Sequence, residues 1–70
     1  MMTVDLHGVR HHEVADKVIS ACAIHETPFI IITGNSDVMK RLVSEAASQM
    51  GLMTRDAINN PGRVVIGEDV

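Results

Sequence analysis

The chain has no tryptophan, no tyrosine and a single phenylalanine, and its one cysteine has no second cysteine to pair with. Without aromatics there is no platform on which successive bases could stack, the device that sequence-tolerant single-strand binders use. A lone Cys22 excludes an intrachain disulfide, so nothing in the cysteine content argues for secretion. Long apolar runs are missing as well. The longest aliphatic stretch, "FIII", is far too short to span a bilayer. The opening "MMTVDLHGVR" lacks a cationic segment followed by an apolar one, so no leader and no membrane partner are expected, and the expected location is cytoplasmic. Positive charge is also short: six Lys and Arg against nine Asp and Glu leave a formal net charge of −3. General polyanion binding depends on cations that neutralise phosphates, so any phosphate recognition here must be local.

What is present is aliphatic. Apolar residues make up 46% of the 70, and the core must be built from Val, Ile, Leu, Met and Ala, with five Met as adaptable fillers. Residues 1–70 make one domain, which at this size buries only roughly 60% of the surface its unfolded chain exposes. No linker, repeat or low-complexity segment divides it. After "VDLHG" the spacing predicts a helix over residues 11–25, with Val14, Ala15, Val18, Ala21 and Cys22 on one stripe and Pro28 beyond its end. Arg10 stands where a capping residue is expected. "FIII", residues 29–32, is apolar without alternation, as in a strand covered on both faces or paired centrally.

"TGNSD" then leads into a second helix over residues 37–50, with the stripe Val38, Met39, Leu42, Val43, Ala46 and Met50. Ser36 or Asp37 can cap its start and Gly51 its end. The last third reads as a hairpin of "LMTRDAI", "NNPG" and "RVVIG", with Pro61 and Gly62 at the centre of a type II turn and "EDV" as a frayed tail. The element order is therefore β-α-β-α-β-β. Helical crossovers imply that the first two strands are parallel, so "DLHG" and "TGNS" end at one edge of the sheet. Ligands of open α/β sheets gather at that edge, where the N–H groups of a helix start can hold a phosphate oxygen and Gly34 lets the backbone approach.

The pair of segments "VDLHG" and "TGNS", joined by a helix and an aliphatic strand, resembles the Smr (small MutS-related) domain, whose signatures are an L-D-x-H-G motif and a T-G-x-G motif. The resemblance covers nearly the whole chain. It implies a two-layer α+β sandwich like the C-terminal domain of translation initiation factor three, with two helices on one face of a four-stranded mixed sheet and the last strand antiparallel and internal. It also implies nucleic acid, RNA or DNA, as partner and endonuclease activity on phosphodiester bonds. Asp5, His7 and Gly8 match the first motif, and Thr33 and Gly34 the second. Ser36 stands where the family usually has Gly, and the glycine-rich segment before the final strand is reduced to "NNPG".

On this reading His7 is a general acid or base, since histidine carries protons near neutrality. Asp5 orients it or holds a divalent cation, Mg²⁺ or Mn²⁺. Gly8, Arg10, Thr33, Gly34, Asn35, Ser36 and Lys40 are the candidate phosphate contacts. The plainer alternatives are that Asp5 only ties off the strand end by accepting from a backbone N–H, and that Asn35 and Ser36 only cap the second helix. His7, His11 and His12 do not make a zinc set, because structural zinc takes four His or Cys ligands and Cys22 lies three turns away. His12 and His25 are expected in solvent, and Arg41, Arg55 and Arg63 on the solvated surface. No organic cofactor motif is visible. Two rivals stay open: a binding domain without catalysis, and a protein-interaction module, monomeric or weakly dimeric, using the exposed sheet face.

Overall fold

The structure, a computed structural model, describes residues 1–68. Six elements follow in the order β1 (Thr3–Asp5), α1 (His11–Ile24), β2 (Phe29–Ile32), α2 (Asp37–Gln49), β3 (Met53–Ala57) and β4 (Asn60–Gly67). They form an α+β fold with a four-stranded mixed sheet ordered β1-β2-β4-β3. β1 runs parallel to β2, and β4 lies between β2 and β3, antiparallel to both. The last strand is thus internal.

Each boundary has a local cause. α1 starts at Arg10 without a side-chain cap and ends where the His25 N–H reaches the Ala21 carbonyl, ahead of Pro28. α2 starts at Ser36, whose Oγ accepts from the Met39 N–H at 3.1 Å, and stops before Gly51, which takes φ +74°. Phe29 and Ile31 of β2 point into the core while Ile30 and Ile32 stay half-buried. "FIII" is therefore a centrally paired strand with one covered face.

Phe29, Ile31, Val64 and Ile66 of the sheet pack with Val14, Val18 and Ala21 of α1 and Met39, Val43, Ala46 and Ala47 of α2, in one cluster. Both helices therefore cover the same face. The α2 seam runs at i, i+4, i+7 and i+8 from Met39, so Ala47 replaces the expected Val38 and Met50, which are 42% and 41% exposed. On α1 the expected Ala15 likewise lies outside the seam and is exposed. The opposite face of the sheet carries no helix. Residues paired in register share a face, so Ile30, Val65 and Arg55 line up across it, and Asp5, Ile32 and Arg63 form the next row.

The hairpin differs from the expected one. Pro61 and Gly62 belong to β4, and the chain reverses at residues 58–59, with Ala57 paired to Asn60 and Asn59 at φ +59°. Asn tolerates the left-handed conformation that the reversal needs. Pro61, which has no N–H to give, sits in the register shift opposite Asp56 and Ala57. Gly62 does not take positive φ but lends its carbonyl to the end of β2. Of the expected frayed tail "EDV", Glu68 lies in a bend after β4 and the last two residues lie outside the described residues.

Candidate phosphate-binding edge

Three segments meet beyond the carboxyl ends of β1 and β2. The first starts at Asp5. β1 ends there, Leu6 turns into the core, and the Asp5 Oδ1 accepts the His7 N–H at 2.9 Å. This short side-chain turn fits an Asp two residues before the donated N–H. Gly8 follows at φ +83°, and the Val9 N–H returns to the Leu6 carbonyl at 3.0 Å. Asp5 therefore places His7 through its main chain. The hydrogen-bonded tie weighed against catalysis for Asp5 is present, and among the described residues the His7 ring has no carboxylate partner.

The second loop is "TGNS". The N–H groups of Thr33 and Gly34 both donate to the Gly62 carbonyl, at 2.9 and 3.0 Å, and the buried Thr33 hydroxyl donates to the Gly34 carbonyl at 2.8 Å. Thr33 is thus structural, folding the loop from within. Gly34 sits at φ +69°, and a methyl group on it would lie 3.5 Å from the His7 ring carbon Cδ2. The imidazole and the glycine are neighbours at one end of the sheet, as parallel pairing of β1 and β2 requires. The third segment, the start of β4, closes over them: a methyl group on Gly62 would lie 3.6 Å from the Gly34 Cα.

Ser36 caps α2 through its oxygen and keeps its own hydroxyl proton to donate. At this helix start the Met39 N–H goes to Ser36 Oγ and the Lys40 N–H to the Ser36 carbonyl. The N–H groups of Asp37 and Val38 have no acceptor among the described residues, as expected for a first turn. Asn35 is exposed beside them.

The charges are mixed. Arg10 is exposed at the start of α1, with no ion-pair partner among the described residues. Lys40, on the helix side, holds its Nζ 3.7 Å from Asp56 Oδ1 of β3. Arg63 pairs with Ile32 one residue past Gly62 and forms no ion pair among the described residues. Asp5 and Asp37 stand on the same edge. Gly62 and Arg63 are the residues that sequence reasoning did not assign to this place. The signal for Gly62 was its position in "NNPG", just before the final strand; Arg63 carried none.

Among the described residues no three His, Cys, Asp or Glu side chains converge as a metal group would require. Cys22 is half-buried against the core, and burial pushes its thiol pKa up. Asp5 keeps one carboxylate oxygen outside its turn, and Mg²⁺ at phosphate sites is commonly held by one or two carboxylates together with substrate oxygens. Two surface hollows of about 430 and 450 Å³ lie between β1 and α1 and around Cys22, and neither includes His7 or Gly34. At the edge itself His7, Gly8, Asn35 and Asp37 are exposed. Comparison with protein-family models, curated proteins and solved structures found no match.

Proposed function

We propose that the chain is an Smr-like nucleic-acid-binding domain that hydrolyses phosphodiester bonds of RNA or DNA at the edge formed by "DLHG" and "TGNS". The observation that carries the proposal is the His7 ring lying against Gly34 at the start of α2. A proton-transferring side chain stands beside the loop that leads into a helix start whose first N–H groups are suited to an anion. The exposure of His7, Gly8, Asn35 and Asp37 at the edge favours a polymer over an enclosed small molecule. The likeness of the two segments to the Smr motifs is what points to nucleic acid.

On this reading one phosphate rests on the N–H groups of Asp37 and Val38, which balance charge as it builds on the phosphoryl oxygens. The His7 imidazole takes the proton of the attacking water or ribose hydroxyl, and the phosphorus–oxygen bond to the leaving strand breaks. Asp5 holds the loop that presents the ring. A divalent cation, if the reaction uses one, would be held by Asp5 and the substrate, and would supply charge neutralisation. The rival reading, binding without hydrolysis, is favoured by one observation: Asp5 is spent on a main-chain N–H, and among the described residues the His7 ring has no orienting carboxylate.

Amide shifts on titration with short RNA and DNA test the binding, and a labelled oligonucleotide with Mg²⁺ or Mn²⁺ tests the cleavage. Shifts are expected at Gly8, Gly34 and Ser36. His7→Ala is expected to lower turnover by about 10²–10⁴-fold while binding stays nearly unchanged. Shifts absent from this edge overturn the proposal, and binding without cleavage by the unaltered protein transfers it to the rival.

A further inference from the structure

The uncovered face of the sheet has a charge pattern unlike that of the molecule as a whole. Among the described residues of its strands it bears Arg55 and Arg63 against a single acid, Asp5, in a chain whose formal net charge is −3. Neither arginine forms an ion pair among the described residues, and Arg55 makes only a long 3.5 Å bond to the Asp56 carbonyl. The other acids of the sheet do not weaken this pattern. Asp56 pairs in register with the core-facing Val64 and meets Lys40 on the helix side, and Glu68 lies past the far end of β4.

Between the charges the face is aliphatic. Ile30 and Ile32 are half-buried, and Val65, although no helix covers it, is only 6% exposed. The result is a half-buried aliphatic strip with Arg63 and Arg55 in adjoining register positions. The strip begins at the proposed site: Ile32 leads into Thr33 and Gly34, and Arg63 follows Gly62, whose carbonyl holds both of their N–H groups.

We propose that a nucleic acid strand anchored at the edge continues as a single strand across this face, its next phosphates held by Arg63 and then Arg55. This rests on the reading of the edge as a phosphodiester site and gives the strand its direction. Arg55 lies one side-chain row from Arg63 along the strands, about 6.7 Å, and one strand over, about 4.8 Å. Flexible guanidinium groups at that separation can hold successive phosphates of an extended chain. Single strands are favoured over duplexes by the aliphatic strip. A duplex turns its charged backbone outward and would desolvate the strip for no return, whereas unpaired bases have apolar faces to lay on it. No aromatic residue stands on the face, so it grips phosphates and does not discriminate among bases.

The test is the salt dependence of binding of a fluorescein-labelled oligothymidine of twelve or so nucleotides, with a duplex of equal length beside it. For single strands the slope of log K against log salt changes by about 0.7 for each phosphate contact. Arg55→Ala and Arg63→Ala are each expected to reduce the slope by about 0.7 and the double variant by about 1.4, with Arg55→Lys restoring the first loss. The duplex is expected to bind the unaltered protein more weakly and to ignore the Arg55 substitution. Binding by the unaltered protein with an unchanged slope in both variants overturns the track alone, and equal or tighter binding of the duplex does the same. Concentration-dependent amide shifts at Ile30, Ile32 and Val65 without oligonucleotide would make the face a contact between copies of the chain, and would also overturn it. Absence of any binding by the unaltered protein overturns the proposed function and the track with it.

Discussion

Gly34 carries more of the proposed edge than any charged residue does. Its φ of +69° lies in the left-handed region, where a side chain costs roughly 1–2 kcal/mol. A methyl group there would stand at ordinary contact distance, 3.5 Å, from the His7 ring. Gly34→Ala is therefore expected to destabilise the fold by about 1 kcal/mol or slightly more through backbone strain, as read by urea denaturation. It should also weaken oligonucleotide binding by covering the approach to the α2 start. Unchanged stability would mean that the loop relaxes out of the left-handed conformation. Thr33 and Lys40 are instead engaged by the fold itself: Thr33 folds its own loop, and Lys40 is held by Asp56.

At the scale of elements the informative case is α2. Its cap at Ser36 and its stop at Gly51 are local, and each was legible as residue type at a fixed spacing, whereas its seam was legible only in part. The cap separates two substitutions that a purely ligand-binding role for Ser36 would not. Ser36→Ala removes the acceptor of the Met39 N–H and is expected to cost about 1 kcal/mol, whereas Ser36→Gly should cost only a few tenths. Thermal unfolding of both variants checks this. Equal losses would mean that the hydroxyl does not cap. Ser36→Gly also restores the residue usual in the family that the segment resembles, so cleavage should be unchanged or improved. The β3–β4 hairpin behaves in the opposite way. "NNPG" has the composition of a type II turn, yet the chain reverses three residues earlier, because the Gly62 carbonyl accepts from Thr33 and Gly34 and so extends β4 alongside β2.

The whole molecule is a thin one, with a single aromatic side chain at the centre of its core. Phe29 is fully buried, and the His25 ring meets it edge-on with centroids 5.8 Å apart. Domains gain roughly 0.05–0.15 kcal/mol of stability per residue, or about 4–10 kcal/mol for 70 residues. Phe→Ala in a core costs about 3–5 kcal/mol. Phe29→Ala should therefore remove about a third of the stability or more, and circular dichroism should find the variant unfolding at clearly lower urea. A loss below about 1 kcal/mol would mean that the five Met and the aliphatic neighbours refill the space. The same thinness bears on binding. With few free cations and a net charge of −3, affinity for nucleic acid should be weak and its salt slope shallow.

The sequence by itself determined the order and kind of the elements, because hydrophobic period, caps and glycine stops act within a few residues of one another. It also determined that "DLHG" and "TGNS" share an edge, because a short helical crossover leaves two strands no other arrangement. Only the tertiary structure decided that Ala47, and not Val38, faces the sheet, since that depends on how α2 is rolled against β2 and β4. Only it decided that Gly62 closes the site, that Asp56 takes Lys40, and that Arg55 and Arg63 share one face. Each of these joins residues far apart in the chain, through hydrogen bonds, charges or strand register that no local spacing encodes. The fold could be read along the chain, but the surface that a ligand would meet is assembled across it.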